Sequence, residues 1–192
     1  AAGFYGAAAE RERNNPVALC LQGWALVAAG QEKEGRERIE RANLLLLADS
    51  RHRLVLGETL ERAGFGEGAR QQTQLILRSA PFWSVELIEA LSKAGQEAAR
   101  KRDYAEAASY WQRSMLACLQ SGAVFVSQSS YILIPHMVHR YRAAGLIAAG
   151  KIDEAMKEIR ICESILPGDI TAAIELVPLL EKVSKSKRPL LI

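Results

Sequence analysis

Apolar residues recur three and four positions apart along most of the chain, which is the period of a helix with one buried face. Two blocks carry the pattern most plainly, VALCLQGWALVAAGQEKEGRERIERANLLLL from Val17 and HRLVLGETLERAGFGEGARQQTQLILRSAP from His52. Each runs through an apolar helical stretch, a Gly-containing turn, a second helical stretch and a terminator. Sustained runs of Val, Ile, Thr, Tyr and Phe alternating every second residue are absent, so a sheet has little to form from. The spacing predicts helix pairs near 17–29/32–47, 50–63/66–79, 84–101/104–121 and 135–149/152–165, about ten antiparallel helices in all.

The blocks repeat one another. Gly23 recurs as Gly57 and Gly30 as Gly64, each 34 residues on, and Gly35, Ala42 and Leu47 map to Ala69, Ile76 and Pro81 at the same interval. A third unit, LSKAGQEAARKRDYAEAASYWQRSML, puts Gly95 and Ala107 at the small positions, and a fourth, AAGLIAAGKIDEAMKEIRICESILPGD, puts Ala143 and Ala155 there. Antiparallel helices pack with axes about 8–10 Å apart, and the closest approach needs a residue with little side chain. Gly30, Gly64 and Gly150 fall where a first helix ends, as a left-handed cap requires. The interval stretches to 38 between Gly64 and Arg102 and to 48 between Arg102 and Gly150. The first excess centres on Pro81, Phe82 and Trp83, and Trp83 is expected to pack an extra turn. The second falls in QSGAVFVSQSSYILIPH and reads as lengthened helices with a long connection. Arg102 stands where the other units have glycine, which predicts a third turn of different shape. Pro178 is expected to kink the helix it falls in.

These units resemble the tetratricopeptide repeat, with small residues at its eighth and twentieth places, Pro at the thirty-second (Pro81, Pro167) and a turn motif close to RDYAEA. The resemblance implies an all-α, right-handed superhelical solenoid of antiparallel helix pairs. It places repeats at about 16–49, 50–82, 83–121 and 128–168, with partial units at 1–15 and 169–182, so that residues 1–182 form the repeat domain. Residues 183–192 then read as a basic linker or the start of further structure. The family binds peptides or partner domains in a concave groove lined by the first helices. Carried over by position, the groove residues are Trp24, Leu54, Glu58, Arg62, Gln96, Arg100 and Arg140, with Arg51, Glu61, Glu89, Ser92, Met137, Ala144 and Ile147 at neighbouring groove places. The Lys/Asn/Asn/Lys/Arg clamp of chaperone-binding members is missing. The groove is apolar at its first end and more basic towards the other, which suits an acidic or amphipathic segment.

Charge and composition narrow the function. The net charge of +3 is small for 192 residues, and acids and bases interleave, so nucleic acid is not expected as a partner. No stretch reaches the roughly 18 apolar residues of a membrane span, and none is expected. Cys20, Cys118 and Cys162 are too widely spaced for a disulfide framework or a zinc site; they read as free buried thiols, which favours the cytoplasm. His136 and His139 share a helix face, but no neighbouring carboxylate or cysteine completes a metal site. HMVHRYR reads instead as a basic patch on an inner helix or as an exposed helix start beside Pro135. Glu32 to Arg41 alternate in sign, as a solvated helix face does. The basic tail KVSKSKR reads as a solvated linker. With no phosphate loop, nucleophile elbow or Cys/His pairing, neither cofactor nor catalysis is expected. A scaffold for protein binding is the function that fits. The alternative is the non-catalytic repeat region of a larger enzyme, such as a glycosyltransferase or kinase, because the chain has no initiating Met and reads as a piece of something longer.

Overall fold

The structure is a computed structural model that describes residues 15–45, 49–82, 84–121 and 128–186. It is all-α: nine helices and no strand among the described residues. We number them α1 (Pro16–Ala28), α2 (Glu32–Leu45), α3 (Ser50–Arg62), α4 (Gly66–Ser79), α5 (Val85–Arg100), α6 (Tyr104–Gln120), α7 (Gln128–Ala148), α8 (Ile152–Ile165) and α9 (Ile170–Ser186). The chain divides into two compact units, Ala1–Ala80 and Pro81–Ile192. The expected helix in 1–15, the role given to Trp83, and most of the tail from Lys182 lie outside the described residues.

Local chemistry starts the helices. Asn15 Oδ1 accepts from the amides of Val17 (3.0 Å) and Ala18 (3.2 Å), with Pro16 in the first helical place. Asp49 caps α3 through the amides of Arg51 and His52, Ser84 caps α5 through Leu87, and Asp103 caps α6 through Glu106. Each cap satisfies amides that the first helical turn leaves without an intrahelical partner.

One turn joins the two helices of every pair. Gly30, Gly64 and Gly150 sit at φ 83°, 84° and 75°, and Arg102 at 62°. In all four the amide of the following residue reaches back five places: Gln31 to Leu26 O, Phe65 to Leu60 O, Asp103 to Ala98 O and Lys151 to Leu146 O. The left-handed residue itself donates three places back, to Val27, Glu61, Ala99 and Ile147. This double bond pattern closes a helix C-terminus on a left-handed residue. The third turn therefore has the shape of the others. Arg102 adopts the glycine conformation because the hydrogen bonds of the turn hold it there.

Within the first unit, α1 and α2 run antiparallel at close range. A Cβ on Gly23 would lie 2.7 Å from Gly35 O, and one on Gly35 would lie 2.6 Å from Gly23 O. Leu19, Cys20, Trp24, Ile39, Ala42, Leu56 and Leu60 form the core. A polar knot ties α2, α3 and α4 together around the buried Arg53, whose Nη2 donates to Asn43 O (2.9 Å) and Nη1 to Gln72 Oε1 (3.2 Å). Gln72 Nε2 in turn donates to Asn43 Oδ1 at 2.8 Å. No carboxylate is among these partners, so neutral oxygens alone offset the burial of this charge.

In the second unit, α5 to α8 pack each against the next, and α9 lies against α7. Ala107 and Ala155 are fully buried, as their small-residue places require. The Trp111 ring covers Gly95, where an added Cβ would meet the indole at 2.6 Å. Two prolines fall inside helices. α7 begins at Gln128, so Pro135 is interior rather than at a helix start, and His136 beside it is buried. The described part of the second insertion is thus one more stretch of helix. Pro178 lies within α9, which continues to Ser186.

Candidate functional site

The seven residues assigned to a groove have unlike surroundings. In the first unit Arg62 is exposed and Leu54 and Glu58 are half-buried on α3. Trp24 is only 8% exposed: its indole lies over Gly68 of α4, where a Cβ would come within 2.5 Å of Nε1. It walls a recess of about 210 Å³ with Val27, Arg36, Ile39, Glu67 and Gln71. Trp24 is thus a core aromatic with one edge on that recess.

In the second unit Gln96 and Arg100 are exposed on α5, and Arg100 Nη1 lies 3.4 Å from Glu97 Oε2. Arg140 is 5% exposed and engaged inside the unit. Its Nε donates to Glu175 Oε2 at 3.0 Å and its Nη2 to Thr171 O at 3.1 Å, both on α9. Ala144 and Ile147, at later groove places of the same helix, are fully buried in the cluster that holds Leu176 of α9. α9 occupies the side of α7 on which these residues lie. As the index rises from His136 to Arg140, the α9 partner rises from Asp169 to Glu175, so the two helices run in the same direction.

The polar string of α7 therefore builds an internal site. His136 and Arg140, one helical turn apart, face α9, while His139 faces α8, with Nδ1 at 2.6 Å from Glu158 Oε2. His136 Nε2 stands 3.2 Å from Asp169 Oδ2 but lacks the angle for a hydrogen bond, and it is buried without any hydrogen-bond partner. Burial, with smaller contributions from Arg140 and His139, holds its pKa below 6.5 against the pull of Asp169. Asp169 caps α9 through the amides of Thr171 (3.0 Å) and Ala172 (3.2 Å). Burial raises its pKa, but those bonds and His136 outweigh it and leave the carboxyl below 3.8.

Beside this cluster, α8 and α9 part to leave a cavity of about 430 Å³. Met156, Ile159 and Leu166 line one wall and Ala173, Leu176 and Leu180 the other, while His136 and Asp169 stand at one end. Cys162 also borders it, but burial pushes its thiol up to about 11. Cys20 is pushed up to about 12 for the same reason. Thiols held protonated in this way are poor nucleophiles. Among the described residues no three His, Cys, Asp or Glu side chains converge to hold a metal ion, and no helix is long and apolar enough to cross a membrane.

Sequence reasoning did not find Asn43, Arg53, Gln72, Asp169 or Glu175. Asp169 had a signal, since Pro167-Gly168-Asp169 before an apolar run is a helix-start signature. The others lie on different helices from their partners, and no local pattern marks such pairs. No protein-family model matches the chain, and no curated protein resembles it at a significant level.

Proposed function

We propose that the chain is a non-catalytic scaffold of tetratricopeptide type that binds peptide segments of partner proteins. The observation that carries this reading is the single turn design repeated in all four helix pairs, with the same two backbone bonds at the same register. Repetition of one structural unit extends a surface without building a catalytic centre, and such surfaces serve recognition. The polar and basic residues left on the first helices of two pairs, Arg51 and Arg62 on α3 and Gln96 and Arg100 on α5, are exposed and suited to carboxylate-bearing ligands. An acidic amphipathic segment is the partner class we assign, without nucleic acid or membrane. Arg140 is left out of the contact set, because its guanidinium is bound within the unit.

The test is fluorescence polarisation against an array of acidic amphipathic peptides, with charge-neutral versions as controls. The parent should select members of the array, and Arg62→Ala in the first unit or Arg100→Ala in the second, each of unchanged helicity, should lose at least about tenfold in affinity, or 1.4 kcal/mol, for the members its own unit binds. Equal binding by parent and variant, or no selection by the parent, would remove the basis for the proposal.

A further inference from the structure

The cavity between α8 and α9 has a volume of about 430 Å³, within the range of roughly 300–1,000 Å³ typical of small-ligand sites. Its walls are apolar, from Met156 and Ile159 on one side to Leu176 and Leu180 on the other. Its polar end is unusual. His136 Nε2 is buried with no hydrogen-bond partner, and Asp169 Oδ2 stands 3.2 Å from it. Buried polar groups without partners are rare in folded proteins, and one at the end of an apolar cavity marks a place for a ligand group. In the tautomer that carries its proton on Nδ1, the neutral imidazole leaves Nε2 and the Asp169 carboxylate as two acceptors side by side, and that pair calls for a shared donor.

Charge selects among donors. Glu163 and Asp169 are the charged side chains that line the cavity, both acidic. Arg140, the cation that acts on His136, is held by Glu175 at 2.9 Å and is already compensated. A carboxylate head would meet two like charges, and an alcohol would satisfy only the hydrogen bond. A protonated amine satisfies both the bond and the charge.

We infer that the α8–α9 cavity binds an alkylammonium ligand, its stem between the two helices and its head at Asp169 and His136. The inference concerns the interior of the second unit and stands apart from peptide binding on α3 and α5.

Three probes of one stem length, n-octylamine, 1-octanol and octanoate, are titrated into the 192-residue chain at neutral pH, below their aggregation limits, with calorimetry and ligand-observed NMR as readouts. The amine should bind saturably, more tightly than the alcohol, and octanoate should bind at least about tenfold more weakly than the amine. Asp169→Asn keeps a good capping residue and removes the charge, so it should bring the amine down to the level of the alcohol. Ala173→Phe, which fills the cavity from a solvent-exposed position on α9, should abolish binding of amine and alcohol alike. Absence of saturable amine binding overturns the inference. So does octanoate binding as well as the amine, or amine affinity unchanged in Asp169→Asn or Ala173→Phe.

Discussion

Arg140 on α7 and Glu175 on α9 meet through two contacts, Nε at 3.0 Å and Nη2 at 2.9 Å from one carboxylate oxygen, and so fasten the last described helix to the body of the second unit. Removal of either partner has unequal consequences. Arg140 is buried while the Glu175 side chain is 43% exposed, so loss of the acid strands a buried cation and loss of the base leaves an acid that water can reach. Glu175→Ala should therefore lower the stability of the second unit by roughly 1–3 kcal/mol. Glu175→Gln, which keeps an acceptor for Nε, should cost less. Hydrogen exchange of the α9 amides checks this, with faster exchange expected in Glu175→Ala and little change in α5 and α6.

Gly23 and Gly57 hold the same place in successive repeats, yet they should respond oppositely to alanine. At Gly23 the new methyl would meet Gly35 O and Ile39 Cγ1, each at 2.7 Å, and the first is backbone that cannot turn aside. At Gly57 the nearest atom is Gln72 Cβ at 3.5 Å, an ordinary contact. Helix propensity favours alanine by about 1 kcal/mol at both. Gly57→Ala should therefore stabilise by about 0.4–1 kcal/mol, and Gly23→Ala should destabilise by about 1–3 kcal/mol through overpacking. Denaturant midpoints of the two variants, measured beside the parent, decide it; a shift of the same sign in both would show that helix separation does not differ between the two pairs.

The helix pairs were legible because their determinants are local. The apolar period and the glycines at the turns lie within a few residues of what they determine, and the helix bounds agree to within one or two residues for most of the chain. Pro135 misled, since a residue without an amide reads as a start, whereas α7 runs through it from Gln128. The direction each polar side chain takes was less legible. Repeat position predicts Arg140 on an inner face of α7, but whether its side of the helix meets solvent depends on α9, and Glu175 lies 35 residues further on. Trp24 shows the same limit: Gly68, which makes room for its ring, is on another helix and has no signature of its own.

Arg102 offers a direct test of the shared turn. Its φ of 62° places it in the region where an L-residue is disfavoured by roughly 1–2 kcal/mol and glycine is at ease. At the equivalent glycines, 30, 64 and 150, a Cβ would meet nothing within 4 Å, so the backbone alone sets the preference. Arg102→Gly should stabilise the second unit by about 0.5–1 kcal/mol, the relief of the turn less the extra freedom of glycine in the unfolded chain. Gly64→Ala, the reverse exchange in the first unit, should destabilise by about 1 kcal/mol. Thermal unfolding of both variants provides the check, and an Arg102→Gly midpoint below the parent's would mean that the arginine side chain contributes more than its backbone costs.

His136 makes the second unit sensitive to mild acid. Its pKa in the folded chain lies below the 6.5 of a free imidazole, chiefly because of burial; Asp169 pulls upward, and Arg140 and His139 push down. Between the two values the unfolded chain binds more protons than the folded one, so stability falls as pH drops from about 6.5 and levels off below the folded value. Asp169 adds a second loss in stronger acid. Its folded pKa lies below 3.8, so the stability it contributes is present above that pH and fades as the carboxyl takes up its proton. The two windows separate the groups. Amide protection in α7 and α9, corrected for intrinsic exchange rates and followed from pH 7 to pH 5, should decline in the parent. In His136→Gln, which keeps a polar group but cannot titrate, the decline should be distinctly smaller. Parallel declines in the two proteins would mean that His136 does not carry the acid sensitivity of this unit, and that its burial beside Asp169 is compensated by contacts the imidazole keeps in both protonation states.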